Sequence, residues 1–148
     1  MDGELQALMD AIEQRASLDS WQQQRRELLG TRSQIDKGDT PLTWAARLGN
    51  AEAVAWLIGC GAGVDSSTNA AGGTPLRVAC QGGHVECIQL LLGAGASVDL
   101  TRTDIGTTPL FIACHKGHAE CVRLLLGAGA SVDSATTGNG QTPLYVAC

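Results

Sequence analysis

The chain is poor in aromatic rings: its 148 residues include one Phe, one Tyr and three Trp. A core with so few rings must be assembled from Leu, Ile, Val, Ala and Cys, which suits thin stacked helices better than a thick sandwich of sheets. No apolar run approaches the roughly 20 residues needed to cross a bilayer, which excludes a membrane span. Positive charge is scarce as well. Ten Lys and Arg face fifteen Asp and Glu, a net charge of -5. Apart from Arg25-Arg26 there is no basic cluster, so the basic stripe that nucleic-acid binding requires is missing. The acidic start Met1-Asp2-Gly3-Glu4 has no basic-then-apolar leader, which argues against secretion by that route and sets the expectation of an intracellular, cytoplasmic protein.

Glycine, in contrast, is abundant at 19 residues, and it is spaced regularly. Thr-Pro-Leu occurs at Thr40-Pro41-Leu42, Thr74-Pro75-Leu76, Thr108-Pro109-Leu110 and Thr142-Pro143-Leu144, always at the same step along the chain. After two further residues each is followed by Ala45, Ala79, Ala113 or Ala147. Gly49, Gly83 and Gly117 keep the same step, as do Gly61, Gly95 and Gly129, and Val64, Val98 and Val132. A period of this size is the mark of a repeat architecture.

One unit can be read physically from Thr74. Its hydroxyl can cap a helix start, and Pro75 occupies the first-turn slot where a missing N–H costs nothing. Gly82-Gly83 ends this short helix. A second helix is predicted from about His84 to Gly93, with Cys87, Ile88, Leu91 and Leu92 on one apolar stripe. The polar stretch from Leu100 to Thr107 then forms an extended turn before the next Thr-Pro-Leu. Isolated helices under about 12 residues are marginal in water, so the missing burial must come from stacking.

The pattern Thr-Pro-Leu-x-x-Ala, then Gly-His-x-Glu-Cys-x-x-Leu-Leu-Leu, then Gly-Ala-x-Val-Asp resembles the ankyrin repeat from Gly38 to Cys148. The resemblance implies an all-α repeat solenoid, with helix-turn-helix units joined by extended β-turn or finger loops. Its units would be 38–71, 72–105 and 106–139, with a partial fourth at 140–148. Two departures stand out. The period is one position longer than that family's usual repeat, and the His that commonly follows Thr-Pro-Leu is replaced by Thr43, Arg77, Phe111 and Tyr145.

Residues 1–37 do not carry the repeat. Leu5, Leu8, Met9 and Ile12 mark an amphipathic helix, and Asp19 or Ser20 could start a second holding Trp21, Leu28 and Leu29. The expectation is a helical cap or degenerate repeat, the alternative a tail that binds something else. At the other end the sequence stops inside the first helix of the fourth unit. The expectations there are a fragment of a longer protein and, if so, end-to-end self-association through an uncovered apolar face.

No catalytic, cofactor or metal site is expected. Cys80, Cys114 and Cys148 share one repeat position, and Cys87 and Cys121 another, so they follow the architecture as reduced, buried small hydrophobes. Cys114-His115-x-x-His118-x-x-Cys121 offers donor types that zinc accepts, but both cysteines fall on packing positions. Cys114 and His115 are helical neighbours that point apart, a poor nucleophile–base pair. Gly93-Ala94-Gly95 ends a helix and lacks the Lys of a phosphate loop.

Positions that change between copies are free of the demands of stacking. They fall in the extended turns, after Thr-Pro-Leu and at the ends of the first helices. The resemblance implies that turn tips and first helices form a concave recognition face for a protein or peptide. Its expected contacts include Gln81 and His115 on first helices, Thr101, Thr136 and Asn139 on turns, and Phe111 and Tyr145 as apolar anchors. The drifting charges are Arg47, Arg77, Arg102 and Lys116 against Asp104 alone. That balance sets the expectation of an acidic or phosphorylated segment as ligand. An alternative is the recruiting arm of a larger enzyme or ubiquitin-ligase adaptor whose working domain lies beyond Cys148; a third is a structural spacer.

Overall fold

The computed structural model describes residues 2–14, 39–66, 73–101, 105–137 and 139–147. Among these residues the chain forms eight helices and no strand: α1 (Asp2–Glu13), α2 (Pro41–Leu48), α3 (Ala51–Gly59), α4 (Pro75–Gly82), α5 (Val85–Gly93), α6 (Pro109–Lys116), α7 (Ala119–Gly127) and α8 (Pro143–Ala147). The second N-terminal helix expected around Trp21 lies outside the described residues.

The first helix of each full pair begins as its sequence dictates. Thr40, Thr74 and Thr108 are extended N-caps whose hydroxyls accept the N–H of Thr43, Arg77 and Phe111 at 3.2, 3.2 and 3.1 Å. Each cap is followed by Pro at the first helical position. After two turns the backbone turns left-handed at Gly49, Gly83 and Gly117, with φ of 68°, 73° and 74°. At Gly83 a side chain is excluded twice over, by φ and because its Cβ would lie 2.9 Å from the His118 ring. The second helix then folds back against the first.

The pairs stack in two layers. First helices pack in the series α2, α4, α6, α8 and second helices in the series α3, α5, α7, while α1 lies on α2. The core consists of columns that recur once per repeat: Leu42, Leu76 and Leu110; Ala45, Ala79 and Ala113; Leu57, Leu91 and Leu125, each at most 1% exposed. Small side chains in the Ala column let the helix axes come close, and the Leu columns bury large apolar side chains away from water.

Polar stitches join successive units. His84 Nε2 lies 3.1 Å from the Arg47 carbonyl and His118 Nε2 3.3 Å from that of Gln81. A carbonyl oxygen only accepts, so each ring carries its proton on Nε2. Asn50 holds the corresponding place one unit earlier. Its Oδ1 caps α3 by accepting from Ala53 N at 3.1 Å, while its Nδ2 donates to the Ile12 carbonyl of α1 at 2.8 Å. On the outer turns, the Asp65 and Asp99 carboxylates accept the N–H of Ser97 and Ser131, each at 3.0 Å.

Candidate functional site

The variable turns and the first-helix layer meet around α6. Gly106, at φ 64°, brings its backbone against the following loop, where an added Cβ would lie 3.0 Å from Thr137 N. Thr137 N donates to the Ile105 carbonyl at 3.3 Å, joining the two loops edge to edge. The second loop is braced internally. Thr136 N donates to the Gln141 carbonyl at 2.9 Å, the Thr136 hydroxyl donates to Asn139 Oδ1 at 2.6 Å, and Asn139 Nδ2 donates to Gln141 Oε1 at 2.8 Å.

Between these loops and α6 lies a cleft of about 330 Å³. Ile105 and Thr107 line it from the first loop, Thr136, Asn139 and Gln141 from the second, and Phe111 and His115 from α6. The volume is at the lower end of the roughly 300–1,000 Å³ typical of ligand sites. Phe111 is 8% exposed and forms its floor, stacked on His115 one helical turn later with ring centroids 6.3 Å apart and planes 10° from parallel. Ile105 stands at the mouth, 44% exposed. The Thr107 hydroxyl is buried in the wall with no hydrogen-bond partner among the described residues.

Four residues singled out from the sequence therefore come together here: Phe111, His115, Thr136 and Asn139. Lys116 is exposed beside His115 at the end of α6. Tyr145 is 67% exposed on α8 but does not line the cleft. Gln81 and Thr101 are exposed elsewhere on the surface. Arg102 and Asp104 lie outside the described residues.

The two remaining arginines are placed differently from a docking surface. The Arg47 guanidinium binds the buried Asp39 carboxylate through Nη2 at 2.7 Å and Nε at 2.8 Å, so its charge is neutralised within the chain. Arg77 is buried at 6% exposure. The expected row of cations along the first helices is thus reduced, among the described residues, to the end of α6.

Ile105, Thr107 and Gln141 were not singled out by sequence reasoning. All three lie within turns recognised as variable. Thr107 shares its repeat position with Asp39, Gly73 and Gln141, a variable place beside the fixed Thr, and that variation was the available signal.

The chemistry of the thiols is structural. Burial pushes the Cys80 thiol far above its ordinary range and also raises Cys114 and Cys121. The nucleophilic thiolate is thereby disfavoured. His118 is tied to the Gln81 carbonyl, and among the described residues no three His, Cys, Asp or Glu side chains group as a metal site. Nor is any helix among them long and apolar enough to cross a membrane.

Comparison with known proteins agrees with the repeat geometry. Residues 8–104 and 95–148 match the family model described as ankyrin repeats in three copies. A search of curated proteins found no match.

Proposed function

Because the chain belongs to the ankyrin-repeat family, whose members generally serve as protein–protein interaction modules, we propose that it docks a segment of a partner protein in the cleft beside α6. The observation that carries this reading is the cleft itself: an apolar floor at Phe111 and an exposed Ile105, framed by two loops that hydrogen bonds hold in place. A braced wall loses little conformational freedom when a ligand arrives, so more of the contact energy appears as affinity. The repeats act as a scaffold, and chemistry is left to the partner or to other parts of a larger assembly. Reduced thiols packed through the core suit an intracellular setting.

The test is site-directed photo-crosslinking, with a photoreactive residue placed at Ile105 or, as a control, at the exposed Gln89 of α5. Crosslinks to the same partner protein from Ile105 and none from Gln89 support docking at the cleft. The reverse pattern places the interface on the second-helix layer and overturns the assignment.

A further inference from the structure

We propose that the cleft beside α6 selects a partner segment carrying a branched aliphatic side chain with a carboxylate on a neighbouring residue. This rests on the docking reading above and adds the chemistry of the ligand. The apolar requirement comes from Ile105 and Phe111: a ligand without an aliphatic group would leave the exposed Ile105 surface in water, or cover it with polar atoms that lose hydration.

The acidic requirement comes from counting donors and acceptors. Asn139 Oδ1 already accepts from the Thr136 hydroxyl and from Gln141 N at 3.4 Å, and Gln141 Oε1 accepts the Asn139 amide. What remains on this side of the cleft is mainly donors: both hydrogens of Gln141 Nε2 and the second hydrogen of Asn139 Nδ2. Outside the lining, at the end of α6, the exposed Lys116 follows His115 and forms no ion pair with a described residue, so its ammonium is available to a ligand that extends past His115. No carboxylate is among the described residues that line the cleft. A purely apolar ligand would bury those donors unsatisfied, whereas a carboxylate accepts from several at once and complements the Lys116 charge. The described lining offers amide donors, with Lys116 next to the lining residue His115, and has no guanidinium fork, which favours a carboxylate over a phosphate.

The experiment is selection from a displayed random-peptide library on the intact chain, followed by affinity measurement of synthetic versions by fluorescence anisotropy. Three variants are compared, Lys116→Glu, Gln141→Glu and Ile105→Ser, each checked for unchanged circular dichroism. The selected peptides should pair Leu, Ile or Val with a nearby Asp or Glu. Lys116→Glu should weaken them about tenfold or more, and so should replacing the peptide's acid by its amide, with the two losses less than additive. Peptides with no acidic bias, or binding indifferent to both charge variants, overturn the ligand chemistry; if Ile105→Ser still weakens such peptides, the docking site stands. Tighter binding of a phosphorylated peptide than of its acidic counterpart also overturns the choice of carboxylate. Indifference to all three variants, or no enrichment at all, counts against the docking reading as well.

Discussion

Replacing Asn50 by Ala should loosen the junction between α1 and the first full pair by about 2–3 kcal/mol. The figure follows from two bonds made by one side chain. Losing the cap on Ala53 N costs about 1 kcal/mol. Losing the donor to the Ile12 carbonyl costs about 1 kcal/mol, and somewhat more because that acceptor is then left without its side-chain partner. In a chain of this size the sum lowers Tm by roughly 5–10 °C. Asn50→Ser separates the contributions, since a hydroxyl caps as well as an amide but is too short to reach α1 at the same time; its cost should be about 1 kcal/mol. Urea unfolding followed by circular dichroism gives the totals. Hydrogen exchange gives the location: the amides of α1 should exchange faster in both variants, while those of α5 and α7 should keep their protection in the Ser variant. Equal costs for Ala and Ser, or unchanged exchange across α1, would refute the assignment of two roles to this residue.

Other perturbations test the stack elsewhere. Leu91→Ala, at a fully buried position, should cost about 2–5 kcal/mol in urea unfolding through the cavity it leaves. Gly83→Ala forces a side chain into the left-handed region and against His118, and should lower the thermal midpoint by the equivalent of about 1–2 kcal/mol or more. Arg47→Met removes one partner of a buried carboxylate; because the guanidinium is itself partly exposed and screened, a loss of about 1–2 kcal/mol is expected. The raised Cys80 thiol also gives a pH dependence. The folded state keeps its proton where the unfolded chain has lost it, so stability should fall as pH rises above the unfolded thiol value of roughly 8.5, and Cys80→Ala should flatten that alkaline slope.

Much of the fold was legible because stacking repeats its demands. Thr108, Pro109 and Gly117 each have one local job, set by cap, ring or φ, so their spacing predicts α6 before any tertiary contact is known. The phase of α1 was also present in the sequence: Leu8 and Ala11 lie one full period before Leu42 and Ala45, and Leu8 is buried like its successors. The weaker match was hidden by the missing Thr-Pro. The site was less legible. Variation between copies pointed to Phe111, His115, Thr136 and Asn139, but it cannot tell a side chain that turns outward from one drawn inward. Arg47 is held by Asp39, a residue just outside the Thr-Pro-Leu pattern, and Arg77 is covered by its surroundings. Phe111 has the same repeat position as Tyr145, yet Phe111 is buried as a floor whereas Tyr145 is exposed, a difference that the shared position does not encode.

The most direct test of docking beside α6 is amide chemical-shift mapping of the labelled chain as it is titrated with the crosslinked partner protein. The account predicts that the largest shifts fall at Ile105, Thr107, Phe111, His115 and Asn139, with α3 and α5 unmoved. Shifts confined to α3, α5 and α7, with those five residues unchanged, would contradict it.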